Sequence, residues 1–250
     1  VVFSIFGYLY VINREKYKGL EKIIPQVKRN VSADERIALG KESDYIVIPS
    51  TCPICGGETK IKQDNDTKVL VCTNDNCKGK LLGKLTHFVS KNAINIDGLS
   101  EATLETFVKL GWIESFAEIY ELKDRFGYDI AKLDGFGKKS VDKLFDSIEK
   151  SRITTLDRFI YALSIPLVGK SASKTIAKYF NYDYDNFMEN GVLQYFDWTV
   201  LDDFGDTMAK SIDNYFDLNC ESVESLAKEF TFKKVEEKNS KIDLSDKTFV

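Results

Sequence analysis

Four cysteines in two close pairs constrain this chain more than any other feature. Cys52-Pro53-Ile54-Cys55 and Cys72-Thr73-Asn74-Asp75-Asn76-Cys77 form C-x2-C and C-x4-C motifs separated by sixteen residues. Four thiolates in two pairs suit a tetrahedral Zn²⁺ ion with every coordination position filled by protein, which makes the expected metal structural rather than catalytic. Gly56-Gly57 follow the first pair, where the chain must turn tightly. Between the pairs, Lys60–Lys62 and Lys68–Val71 read as two short strands with Asp64-Asn65-Asp66 as their turn, a zinc-ribbon-like hairpin. The alternative, four unrelated buried cysteines, fits poorly because unrelated cysteines seldom pair in this way. Four thiols held by a metal suit a reducing compartment without disulfides. Cys220 stands apart and reads as a small buried apolar residue.

At 250 residues the chain has room for two or three small domains. The apolar opening, Val1–Ile12, is too short to cross a bilayer, and no signal peptide is evident. The first and last residues, Val1 and the strand-like Phe249-Val250, suggest a fragment of something longer. The net charge of −4 argues weakly against nucleic acid. Local patches govern such binding, however, and Lys78 with Lys80, Lys138-Lys139, and Lys170 with Lys174 form basic clusters.

The expected fold is multidomain and mainly α. Residues 1–48 form a partial OB-fold-like β segment, 49–80 the four-Cys finger, 81–230 a helical domain, and 231–250 a linker and first strand of a further domain. The helical part repeats. Ile96-Asp97-Gly98-Leu99-Ser100, Leu133-Asp134-Gly135-Phe136-Gly137, Ile165-Pro166-Leu167-Val168-Gly169 and Leu201-Asp202-Asp203-Phe204-Gly205 end 37, 32 and 36 residues apart, each followed by an amphipathic helix. After the second turn, Val141, Leu144, Phe145 and Ile148 share one face; Ser115 and Glu118 spell a capping box for another helix.

Two short helices joined by an h-G-h-G turn are the helix-hairpin-helix pattern. Its glycines let backbone N–H groups approach a phosphate, and the second helix adds its N-terminal amides and dipole. Such contacts hold a nucleic-acid backbone without reading bases. The second turn alone has both glycines, Gly135 and Gly137, with Lys138-Lys139 behind them. Ser100 closes the first turn. Pro166 in the third and Asp203 in the fourth are read at the first glycine position. Asp203 and Asp206 make the fourth the weakest expected phosphate site. Plain helix–turn–helix packing with capping glycines is the competing explanation of the repeat.

Two further features are weighed against sharper roles. Lys132-Leu133-Asp134-Gly135 spells K-x-D-G, an adenylation motif, but it sits inside a hairpin turn without a surrounding sheet domain to desolvate the lysine. His87, the single histidine, reads as a packed or backbone-bonded residue rather than a fifth ligand, and one histidine disfavours triad hydrolysis.

A four-cysteine finger running into four such turns resembles the C-terminal half of bacterial NAD-dependent DNA ligases. The residues carrying the resemblance are Pro49–Gly57, His87–Ala93 leading to Ile96–Leu99, Gly137–Ser140 and Val168–Ala172. At the margins, Ile23–Val27 resembles the last strands of the family's OB-fold, and Leu244–Val250 the first strand of a terminal BRCT domain. The resemblance implies a cytoplasmic, nucleoid-associated monomer that helps to seal nicks in duplex DNA during replication and repair. NAD and Mg²⁺ would be bound elsewhere in the full-length enzyme, and no catalytic or NAD-binding residue would lie here. Structural Zn²⁺ would be held by Cys52, Cys55, Cys72 and Cys77. DNA would be held around Gly98, Gly135, Gly137, Lys138, Lys139, Gly169, Lys170, Ser171 and Gly205. Two other classes compete: a non-catalytic helix-hairpin-helix scaffold of a repair complex, and a zinc-ribbon interaction domain with helical ballast.

Overall fold

The computed structural model describes residues 2–5, 8–11, 30–31, 48–64 and 67–235. The expected strand over 23–27, the tip of the finger hairpin at 65–66, and the terminal strand at 244–250 lie outside the described residues. The chain divides between Thr73 and Asn74 into two compact units.

Among the described residues, the regular structure of the first unit is β. Strands β1 (Val2–Ile5), β2 (Tyr8–Val11) and β3 (Asn30–Val31) form an antiparallel sheet in that order. Strands β4 (Thr59–Asp64) and β5 (Thr67–Cys72) form the expected antiparallel hairpin, each longer than the sequence suggested, with Ile61 opposite Leu70. Ile61, Val69 and Leu70 are all exposed, so this hairpin has little apolar surface of its own to bury.

The second unit is helical, as its periodicity requires. Its helices are α1 (Lys78–Val89), α2 (Glu101–Lys109), α3 (Leu122–Ile130), α4 (Lys138–Ser151), α5 (Leu156–Ala162), α6 (Lys170–Tyr179) and the long α7 (Asp206–Ala227). The apolar faces read from the sequence are the faces that pack. Leu104, Phe107 and Val108 on α2, Val141, Leu144, Phe145 and Ile148 on α4, Ile176 and Ala177 on α6, and Ile212 and Phe216 on α7 join one core. The expected capping box is half formed. Glu118 Oε2 accepts from the amides of Glu114 (2.6 Å) and Ser115 (3.0 Å), but the helix that follows is a 3-10 turn, Ala117–Glu121, with Phe116 at its N-cap and no side-chain cap bond.

After α7 the chain turns back. Strand β7 (Thr231–Phe232) pairs in parallel with β6 (Ile153–Thr154), and Phe232 stacks on Tyr184 at 4.8 Å. Arg152 bonds Glu149 and Glu229 and lies 4.8 Å over the Tyr120 ring, tying the exit of α4 to the end of α7. The helical unit therefore extends through Phe232.

A π-helical turn, Phe187–Val192, brings Gly191 against an aromatic cluster of Phe180, Phe187, Phe196 and Trp198. A Cβ at Gly191 would meet Phe180 Cζ at 2.9 Å and Trp198 Cη2 at 3.3 Å. Those rings are fixed by one another, so Gly191→Val should overpack the core and destabilise the protein by about 1–3 kcal/mol. Thermal and denaturant melts with an unchanged midpoint would contradict this packing.

Candidate functional site

The finger is built by local hydrogen bonding around its first cysteine pair. Gly56 N donates to Cys52 O (2.8 Å), Cys52 N donates to Gly57 O (2.7 Å), and Gly56 takes φ +68°, a left-handed conformation that glycine adopts without strain. Gly57 N points at Cys55 Sγ at 3.4 Å, an N–H donor that would support a thiolate. The sulfur atoms of Cys52, Cys55, Cys72 and Cys77 all lie within 4.8 Å of one another. Cys55 Sγ and Cys72 Sγ are 3.6 Å apart, far beyond a disulfide bond. That separation is close to the roughly 3.8 Å edge of a tetrahedron with about 2.3 Å Zn–S bonds. The donor set and spacing therefore fit zinc. Cys220 is half-buried on α7, where burial pushes its thiol pKa up.

The four repeated turns share a burial pattern and a left-handed third residue. In each, the first and fourth residues pack inward while the second, third and fifth face solvent. Phe136 N, Val168 N and Phe204 N donate back to Leu133 O, Ile165 O and Leu201 O at 3.0, 3.1 and 3.2 Å. The third residue is left-handed in all four: Gly98 at φ +97°, Gly135 at +86°, Leu167 at +69° and Asp203 at +67°. This is the pattern of a type II turn, whose third position requires positive φ and whose second favours proline. The third turn's reading is corrected accordingly. Leu167, not Pro166, occupies the first glycine position, since the pyrrolidine ring holds φ near −65° and excludes it from that place.

The fifth residue of each turn caps the next helix in extended geometry, with φ from −67° to −101° at Ser100, Gly137, Gly169 and Gly205. Their surroundings differ. Ser100 Oγ accepts from Thr103 N (3.2 Å), so the first turn satisfies one of its helix amides internally. No side-chain cap bond is made at Gly137, Gly169 or Gly205. The exposed Lys138 and Lys139 follow Gly137, and the exposed Lys170 and Ser171 follow Gly169. Lys170 Nζ reaches Asn92 Oδ1 at 3.3 Å. The acidic Asp206 opens α7. The N-termini of α4 and α6 can thus receive an anion, whereas that of α2 is partly self-capped and that of α7 carries negative charge.

Long-range contacts associate the first turn with the second hairpin and the third with the fourth. Asp97 N in the first turn donates to Ser147 Oγ on α4 (2.7 Å), and Phe136 in the second turn meets Phe107 on α2 at 6.1 Å. In the third turn, Pro166 O accepts from Ser211 Oγ on α7 (2.7 Å). Ser100's self-capping and Leu167's place were missed in the sequence reading. Ser100 followed by Thr103 was the signal for the first, and proline's fixed φ for the second.

His87 takes the packed, backbone-bonded place expected of it. His87 is half-buried, with Nε2 2.8 Å from Tyr161 O and its ring edge-on to Tyr161 at 4.5 Å. Lys132 is exposed, its Nζ 3.7 Å from the centre of the Tyr128 ring.

Fold and site together define a helix-hairpin-helix protein that carries a four-cysteine finger able to hold a metal ion. A family model described as "Helix-hairpin-helix motif" matches residues 158–223, which include the third and fourth turns. The chain is 41% identical over 91% of its length to a DNA ligase of Lachnoclostridium phytofermentans, covering 33% of that protein. It is 40% identical over 78% of its length to a DNA ligase of Ruminiclostridium cellulolyticum, covering 28% of that protein. Over most of its length, then, the chain is similar in sequence to one part of DNA ligases, and it spans about a third of the length of these curated relatives. Among the described residues, no helix is long and apolar enough to cross a membrane.

Proposed function

We propose that this chain is the DNA-holding, C-terminal portion of an NAD-dependent DNA ligase that seals nicks in duplex DNA. The observation that carries the reading is the repeated turn. Four copies share a left-handed third residue, and two of them, at α4 and α6, join a helix N-terminus lacking a side-chain cap to exposed lysines. In this reading the amides following Gly137 and Gly169, with Lys138, Lys139, Lys170 and Ser171, hold backbone phosphates, and Gly135 shapes the turn for close approach. Gly98 and Gly205 shape turns that contribute mainly packing, because Ser100 and Asp206 compete with phosphate there. Cys52, Cys55, Cys72 and Cys77 hold a structural zinc. NAD and Mg²⁺ act in another part of the full-length enzyme, which works as a cytoplasmic monomer in replication and repair.

Duplex-DNA affinity measured across a series of salt concentrations tests this. Lys138→Ala should weaken binding evenly across sequences and reduce the salt slope by about one unit. An unchanged slope would remove Lys138 from the phosphate contacts.

Lys132 is not the nucleotidyl lysine in this reading. Its ammonium is exposed and rests on Tyr128, so nothing desolvates it into a nucleophile. Incubation with NAD should leave the chain unadenylated by mass spectrometry, and Lys132→Ala should change nothing. An AMP adduct on Lys132 would overturn the assignment.

A further inference from the structure

We propose that the groove between the π-helical turn and α7 docks an arginine-bearing, cationic segment of a protein partner. It involves none of the residues proposed above to hold DNA. Two cavities open along this groove and share Leu193. The smaller, of about 240 Å³, is walled by Val192, Leu193, Tyr195 and Phe216 and flanked by Asp213 and Asp217. The larger, of about 670 Å³, continues past Glu189 and Glu224 to Lys228; there Lys234 is already paired with Asp183 at 3.1 Å. Asp213 and Asp217 stand one helical turn apart, and a ring from the facing segment holds each. Trp198 Nε1 donates to Asp213 Oδ1 (2.8 Å), and Tyr195 Oη donates to Asp217 Oδ1 (3.2 Å). Both donors are neutral, so the carboxylates are oriented without being neutralised. Among the described residues, no lysine or arginine pairs with Asp213, Asp217, Glu189 or Glu224.

Size and charge select the occupant. The smaller cavity, at about 240 Å³, falls below the roughly 300–1,000 Å³ of small-molecule sites, but it has room for one long side chain. An arginine matches its chemistry. The planar guanidinium can bridge two fixed carboxylates, and Tyr195, 69% exposed, offers a ring face beside them. The aliphatic stem can lie along Leu193, which is 57% exposed. The larger cavity leaves space for the chain on either side of that arginine, with Glu189 and Glu224 placed for further cations. Like charges four residues apart repel on a helix, so a cation between Asp213 and Asp217 also relieves a repulsion that the free chain carries. Nucleic acid would bring phosphates against these carboxylates. A second copy of this chain, at net charge −4, is a poor electrostatic match.

The test follows the indole N–H signals of Trp112 and Trp198, the two tryptophans of the chain, by nuclear magnetic resonance. The probe is a blocked amphipathic peptide of leucine and alanine carrying arginines four residues apart; its lysine and glutamate counterparts are controls. The arginine peptide should move the Trp198 signal saturably and leave Trp112, packed between Phe107 and Phe126, in place. The lysine peptide should bind more weakly, and the glutamate peptide not at all. Asp217→Asn should weaken the arginine peptide by roughly threefold to fivefold, the scale of an exposed ion pair. Asp213→Asn should weaken it as well, since the amide oxygen can still accept from Trp198 but carries no charge. Asp142→Asn, the same charge change on the exposed face of α4, should leave affinity unchanged. Melting midpoints should match the parent in all three variants. Equal movement of both indole signals, equal binding of the lysine peptide, or full affinity in Asp217→Asn would overturn the proposal. A Trp198 signal that moves with protein concentration alone would give the groove to a second copy, and one moved by duplex DNA would give it to nucleic acid; either result would also overturn it.

Discussion

Stripping zinc from the four-cysteine finger should unfold the β4–β5 hairpin while leaving the core of the helical unit intact. An isolated two-stranded hairpin is marginal in water, and this one exposes Ile61, Val69 and Leu70 instead of burying them. Within the described part of the finger, Cys52 and Cys77 are the buried residues. Little apolar burial is therefore available to hold the hairpin, and metal–thiolate bonding should supply most of its stability, on the order of 10 kcal/mol in small structural zinc modules. The helical unit has its own core, centred on fully buried side chains such as Phe88, Phe107, Phe159 and Phe187. Elemental analysis should find one zinc per chain. Chelation under reducing conditions should remove hydrogen-exchange protection from the amides of β4 and β5, and protection in α2, α4 and α6 should persist. Cys52→Ala should reproduce the loss, and Cys220→Ser should not. Freshly purified protein without metal, or a hairpin equally protected after chelation, would refute the zinc assignment.

The second large effect is a pair of opposite signs at Gly137. Its backbone, at φ −82° and ψ 163°, is open to any residue, and a Cβ built there meets nothing within 4 Å. Aspartate is a favoured N-cap, and its charge suits the positive end of α4. Gly137→Asp should therefore fold normally and gain a few tenths of a kcal/mol. The same carboxylate would occupy the amides that are proposed to hold a phosphate. Losing a charge-assisted contact costs roughly 1.5–3 kcal/mol, or about 10- to 150-fold in affinity, with repulsion in addition. Gly205→Asp should matter less for affinity, because Asp203 and Asp206 already disfavour an anion there. Melting curves and duplex titrations on both variants check the pair. Equal losses would invalidate the ranking of hairpins. No loss in either folded variant would show that the turns are packing devices.

Much of this architecture is legible in the sequence because it is local. Two cysteine pairs close over a short hairpin, so spacing alone announces the finger. Apolar residues at helical intervals after each turn identify the faces that are buried, from Leu104 on α2 to Phe216 on α7. Proline's fixed φ, read correctly, would also have excluded Pro166 from the left-handed position. What was not legible depends on residues far apart in the chain. Asp97 meets Ser147, Ser211 meets Pro166, and β7 returns to β6 only after the helices have packed. Those contacts associate the turns in pairs and carry the helical unit through Phe232. The functional differences among four similar turns also required coordinates. Whether a helix amide is taken by Ser100 Oγ or lacks a side-chain cap, and whether Leu167 is buried or exposed, turn on ångström-scale geometry. Residue spacing fixed where the turns lie, but the folded backbone decided what each one presents to solvent.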